Sequence, residues 1–275
     1  MEPVIHIGRP GRAARAADVV VGSEAEAAAL RANIAHSPMA AAVLVGLLRA
    51  TERLPVPDAL FAESLAYATL QSGPEYRAWL DAHRAAAPAR PTDAGPAVVL
   101  TRDRASLSIE LNRASNRNAI NVEMRDGLVE ALQLVIADRS IRRARLSGRG
   151  RCFSTGGDLT EFGSVPDPAT GHAIRMQALP ARFLAQCADR VEAHLHSACI
   201  GAGIELPAFA RHVTASRNAF FQLPELRFGL IPGAGGTVSL PRRIGRQRTA
   251  WLVLSGQKLN AAQALKWGLV DKITD

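Results

Sequence analysis

Ile200-Gly201-Ala202-Gly203-Ile204-Glu205-Leu206 is the stretch whose reading decides the fold. Two glycines around an alanine make a bend whose backbone other groups can approach closely. Pro207 follows, and a residue without an N–H fits a helix only within its first turn. The bend therefore feeds a helix that starts near Gly203 or Ile204. The free N–H groups and dipole of such a start favour negative charge. Taken alone, the segment is more simply a packing turn with a solvated glutamate.

Working outward, a second carboxylate stands in Leu223-Pro224-Glu225, ahead of Gly229-Leu230-Ile231-Pro232-Gly233-Ala234-Gly235-Gly236-Thr237. A further bend lies upstream in Phe153-Ser154-Thr155-Gly156-Gly157-Asp158-Leu159. Each alone reads as an ordinary turn. Together they supply exposed backbone N–H groups and two carboxylates, the parts needed to hold a developing enolate and move protons around it.

The rest of the chain separates into textures. Residues 1–19 read as irregular. Residues 20–86 read as helical, with Ala27, Leu30 and Ile34 at helical spacing and Ser37-Pro38 as a cap candidate before a first-turn proline. An apolar run from Met39 to Leu48 is broken at Pro55 and Pro57, and Gly73-Pro74 turns into a last short helix. Residues 87–97, rich in alanine and proline, read as a linker. From residue 98 to 275 strands and helices alternate, with strands expected at Val98–Leu100, Ser106–Leu111, Arg143–Leu146 and Arg190–Leu195 and a helix at Met124–Ala137. Such alternation is an α/β domain.

Composition narrows the function classes. A 48% hydrophobic chain of 275 residues supports one large core. Cys152, Cys187 and Cys199, an odd count, form no CxxC pair and no metal-ligand spacing, which argues for a reducing compartment and no disulfide framework, and no metal site is expected. No apolar run reaches the roughly 18 residues of a membrane span, and the start reads as no signal peptide. The expectation is a soluble cytoplasmic protein. The net charge of +8 is carried by scattered arginines without interleaved aromatics, which speaks against nucleic acid as a partner. No Gly-x-Ser-x-Gly is present and the histidines suggest no triad, so a serine hydrolase is disfavoured. His194 and His196, near the Glu205 bend, read as structural residues of a buried strand.

In order and spacing, these segments resemble the crotonase superfamily of enoyl-CoA hydratases and isomerases. The resemblance rests on Leu111-Asn112-Arg113 with Asn118-Ala119-Ile120-Asn121, on the three glycine-bearing stretches above, and on Leu254-Ser255-Gly256, Ala261 to Ala264 and Trp267-Gly268-Leu269-Val270. It implies a crotonase-like spiral of ββα units. It also implies that the N–H groups of Gly157 and Ala202 hold the thioester oxygen of an acyl-CoA. Glu205 and Glu225 match the carboxylates that hold and activate water, the second delivering a proton to the α-carbon. Arg151 matches a basic position near the CoA phosphates, the backbone around Thr155 an adenine contact, and Arg113 and Arg117 possible helpers. Coenzyme A enters as part of the substrate, with no separate cofactor, and the family assembles as trimers or hexamers. Two glutamates favour hydration. Isomerisation, other enolate chemistry on a CoA thioester (hydrolysis or oxygenation) and a catalytically weak trimeric scaffold are the alternatives.

The chain departs from the family pattern in places. Ser197 and Gln222 stand where glycines are usual, and both are expected to narrow or polarise the acyl pocket. Arg211 stands where aspartate is common. The family continues past Gly-Leu-Val with further helices, whereas here similar helices precede the core: Ser23 to Asn33, Ser37-Pro38, the helix through Glu63, and Ser72-Gly73-Pro74-Glu75-Tyr76-Arg77-Ala78-Trp79. The expectation is a relocated tail, as in a circular permutation; an independent helical extension is the competing reading.

Overall fold

A computed structural model describes residues 2–9, 11–83 and 93–275. The chain opens with β1 (Ile5–Ile7), α1 (Arg12–Ala16) and β2 (Val19–Val21), followed by α2 (Glu24–His36), α3 (Pro38–Thr51), α4 (Val56–Gln71) and α5 (Pro74–His83). Then come β3 (Val98–Asp103), β4 (Ser106–Leu111), α6 (Val122–Ala137), β5 (Arg143–Gly148), α7 (Pro168–Ala178), α8 (Pro180–Cys187), β6 (Val191–Leu195), β7 (Ala198–Ile200) and α9 (Ala202–Glu205). The last elements are β8 (His212–Ser216), β9 (Phe220–Gln222), α10 (Gly236–Ile244), α11 (Arg246–Ser255), β10 (Leu259–Asn260), α12 (Ala261–Trp267) and β11 (Lys272–Thr274).

Two sheets organise the α/β part. The larger has the order β11-β8-β6-β5-β4-β3 and is parallel except for the β3–β4 pair. The smaller has the order β10-β9-β7. β4 shows why the pattern makes a sheet: Leu107, Ile109 and Leu111 are buried while the residues between them are not, the period-two alternation of a strand with one face on the core. α6 buries Met124, Leu128, Ala131, Leu132 and Val135, a stripe at helical spacing, and Asn121 caps it by accepting the Met124 N–H.

The beginning of the chain corrects one expectation. Residues 1–19 do not read through as irregular: β1 and β2 pair in parallel around α1. Buried Asp18 fixes this unit by accepting from the Val4 N–H, Arg49 and Arg246. The β-branched run Val19-Val20-Val21 was the available strand signal. A second correction concerns Ser37. Its side chain makes no cap bond; the Glu75 carboxylate from α5 instead accepts the Met39 and Ala40 N–H groups at 2.6 and 3.0 Å. Of the expected linker 87–97, residues 87–92 lie outside the described residues, as do 84–86. Residues 93–97 carry neither helix nor strand, and Asn112 holds them through the Ala94 and Pro96 carbonyls.

α2 to α5 pack on the α/β part as one continuous hydrophobic core, from Leu30, Leu44 and Leu60 through to Leu230 and Leu252. Polar contacts pin them. The Asn33 amide donates to the Leu254 and Ser255 carbonyls at the end of α11, and Arg242 donates to the Leu54 carbonyl. Trp79 packs against Phe228 with ring centroids 4.8 Å apart. Among the described residues, no single helix is long and apolar enough to cross a membrane.

Candidate active site

β7 and β9 run in parallel, and the Gly201 N–H donates to the Gln222 carbonyl one residue beyond β7. The chain thus leaves both strands side by side. From β7 it turns at Gly201, with φ +52°, into α9 and Glu205. From β9 it passes Pro224 into a short 3-10 turn that carries Glu225. The upstream bend joins β7 through a bridge between Ser154 and Cys199, and a second bridge, between Gly157 and Ile120, ties it to the segment before α6. It lies so close that a Cβ on Gly156 would stand 2.5 Å from the Ile200 carbonyl oxygen and 3.3 Å from the Ala202 nitrogen. Only glycine fits that approach.

Neither the Gly157 nor the Ala202 N–H donates a hydrogen bond to another group among the described residues. Both residues line one cavity of about 620 Å³, together with Thr155, Glu205 and Glu225. The two carboxylates converge there. A Cβ built on Gly201 would lie 2.7 Å from Glu225 Oε1 and 3.9 Å from Glu205 Oε1. Glu205 is buried, and its Oε2 accepts the Ala234 and Gly236 N–H groups at 2.7 and 2.9 Å. Glu225 is also buried, and its Oε2 has no hydrogen-bond partner among the described residues. Burial first, and the neighbouring carboxylates next, push Glu205 well above the usual carboxylate range. Burial, with Glu63 adding to it, pushes Glu225 up to about 8.

A third carboxylate stands behind this pair. Glu63 of α4 is buried at the start of α10, where it accepts from the N–H groups of Gly235 and Thr237 and from the Thr237 hydroxyl. Those donors favour its charged form while burial opposes it, and the balance lies at about 7. Sequence reasoning missed this group as part of the site, and missed Tyr67, Gln71 and Arg175, which line the same cavity. Tyr67 fits because Gly233 faces it: a Cβ there would lie 2.3 Å from the ring. No turn or spacing signal joins α4 to these loops across so much chain; only its apolar helical face hinted at a partner.

Other expected residues lie elsewhere. Arg151 and Arg117 are exposed on either side of the Cys152 thiol, whose pKa their charges lower against the dominant effect of burial, and neither lines the cavity. The Thr155 N–H donates to the Arg117 carbonyl. Arg113 pairs with Glu123. Gln222 does not narrow the cavity: its amide donates to the Gly256 carbonyl, away from it. Ser197 supplies a left-handed turn, with φ +52°, and also stays out of the lining. His194 lies half-buried in β6, held by Thr214 and Arg145, whereas His196 lies past the end of that strand, where the expected buried strand does not reach, and contacts the Gly150 carbonyl; neither lines the cavity.

Comparison with known proteins places this architecture. The family model for "Enoyl-CoA hydratase/isomerase" matches residues 102–275. The chain is 36% identical over 176 residues to a 2,3-dehydroadipyl-CoA hydratase of Escherichia coli K12, covering 64% of this chain and 68% of that one. It is 35% identical over 177 residues to a 1,2-epoxyphenylacetyl-CoA isomerase of the same organism, covering 63% and 68%. The crystal structure of an enoyl-CoA hydratase from Thermoplasma volcanium GSS1 superposes with a TM-score of 0.60 at 34% identity, over 66% of this chain and 73% of that one. With the family model spanning well over half of its length, the chain belongs to the enoyl-CoA hydratase/isomerase family, the crotonase superfamily.

Proposed function

We propose that the protein adds water to a 2-enoyl-CoA thioester to give the 3-hydroxyacyl-CoA. The observation that carries this reading is the pairing of two buried carboxylates beside two amides, where among the described residues one carboxylate oxygen has no partner and neither amide donates to another group. The Gly157 and Ala202 N–H groups take the thioester oxygen and draw electron density from the conjugated double bond. The β-carbon becomes electrophilic. Water bonds to it through oxygen as Glu205 takes the water proton, and Glu225 gives its proton to the α-carbon. Return of the proton from Glu205 to Glu225 restores the enzyme, and the net change is one water added. Arg151 and Arg117, exposed beside the Thr155 loop, suit the CoA phosphates, and Thr155 backbone groups the adenine. Assembly as a trimer or hexamer belongs to the same proposal.

Isomerisation of an enoyl-CoA is the second reading, since one relative above is named an isomerase. The two carboxylates at one cavity favour hydration, because water addition uses one group to activate water and another to protonate carbon. Incubation with crotonyl-CoA tests the choice through loss of the conjugated thioester absorbance. Glu205→Gln and Glu225→Gln are each expected to lower the rate by on the order of 10²–10⁴. A gain of that absorbance from 3-enoyl-CoA, with no hydration, would favour the isomerase. Unchanged rates in both variants would remove the assigned roles.

A further inference from the structure

The cavity holds a cation whose partners are all neutral. Arg175 of α7 lines it, largely out of water. Its Nε donates to the Ser64 hydroxyl, Nη1 to the Gln71 amide oxygen and Nη2 to the Ser64 carbonyl. A guanidinium has five N–H donors, so the remaining two meet no acceptor among the described residues. The other arginine lining the cavity, Arg125, is paired with Asp126, but Arg175 has no ion-pair partner among the described residues. The acid whose field reaches it, Glu63, has both oxygens engaged by Gly235 and Thr237. The guanidinium lies 4.7 Å over the Tyr67 ring, which itself lines the cavity. Ile174, Leu179 and Leu206 make the neighbouring lining apolar. A desolvated charge without a counter-charge is costly, and a planar fork with spare donors matches a carboxylate.

We propose that Arg175, framed by Tyr67 and Gln71, recognises a carboxylate at the far end of the acyl chain, so that the thioester taken is the CoA ester of a dicarboxylic acid. The inference rests on the reading of this cavity as an acyl-CoA site, and it deepens that reading by naming the substrate class. An unbranched apolar chain would fill the same lining and leave the guanidinium uncompensated.

Calorimetric binding of saturated thioesters to the full chain tests this without requiring turnover. Adipyl-CoA is compared with hexanoyl-CoA, and suberyl-CoA with octanoyl-CoA. At one or both lengths the carboxylate-bearing ester should bind at least about tenfold more tightly, the size of a hydrogen-bonded charge pair. Arg175→Gln should bring that ratio close to one, and Arg175→Lys, which keeps the charge but loses the fork, should retain part of it. Equal affinities in the unmodified protein at both lengths overturn the proposal, and need no variant to fold. So does an Arg175→Gln protein in which both affinities fall together, the signature of a clamp between α4 and α7. Failure to hydrate enoyl-CoA, with the binding preference intact, would sink the reaction and leave this inference standing. Binding of neither thioester would remove both.

Discussion

At the scale of single residues, Glu205 and Glu225 look alike and are not. Both are buried and pushed up, first by loss of water. Glu205 receives two backbone N–H groups on one oxygen, which support a charge there. Glu225 Oε2 receives no hydrogen bond from the described residues. On that contrast in donors we place the proton on Glu225, although burial and the neighbouring carboxylates also raise Glu205, well above the usual carboxylate range. This suits the proposed roles, with Glu205 taking a proton from water and Glu225 giving one to carbon. An acid works while protonated, and burial raises Glu225 to about 8. Hydration kcat/KM is accordingly expected to fall above about pH 8 by about tenfold per unit, as that proton is lost, and to fall on the acid side as Glu205, itself raised, takes up a proton. A pH–rate profile checks this. A profile flat to pH 10 would place the proton-delivering group elsewhere.

At the scale of elements, α4 is the piece that sequence alone leaves unexplained. Its Glu63 carboxylate ties it to the first turn of α10, the loop whose Ala234 and Gly236 amides hold Glu205. One helix thereby sets the position of a carboxylate more than a hundred residues away in sequence. Glu63→Ala would leave two buried N–H groups and a hydroxyl without their acceptor. It is expected to lower stability by about 3 kcal/mol, read from urea denaturation. Hydration activity should fall with it, because the Glu205 loop loses its support. A variant as stable as the parent would show that α10 holds its own start. The contrast in legibility follows from range. The bends that carry Gly157, Ala202, Glu205 and Glu225 were readable because their glycines and prolines constrain the backbone within a few residues, while the choice of these four residues came from the family resemblance. β4 and α6 were readable because one-sided burial imposes a period. Glu63, Tyr67 and Arg175 meet only when α4 lies against α7 and α10, and nothing local to Glu63-Ser64-Leu65-Ala66-Tyr67 marks that meeting. The direction of the Gln222 side chain was unreadable for the same reason, since its acceptor is the carbonyl of Gly256.

At the scale of the molecule, the order of the parts is the unusual feature. The family model begins at residue 102, so α2 to α5 precede everything it matches. About a third of each of the two relatives' length also falls outside the matched stretch. We propose that α2 to α5 are the family's closing helices moved to the front of the chain. Their packing supports this: Asn33 reads the end of α11, Glu63 caps α10, and Tyr67 lines the cavity beside Glu205. An independent extension has no reason to complete an active-site wall. If the helices belong to the core irrespective of chain order, a gene that places residues 1–92 after Asp275 through a long flexible linker should yield a cooperatively folding protein with comparable hydration activity. Removing the same residues outright should strip the cover from Leu230, Leu252 and the Gly233–Thr237 loop, and the product should aggregate or lose its thermal transition. A truncated chain that stays soluble, melts cooperatively and turns over substrate at the parent rate would make the helices an accessory and end the relocation argument.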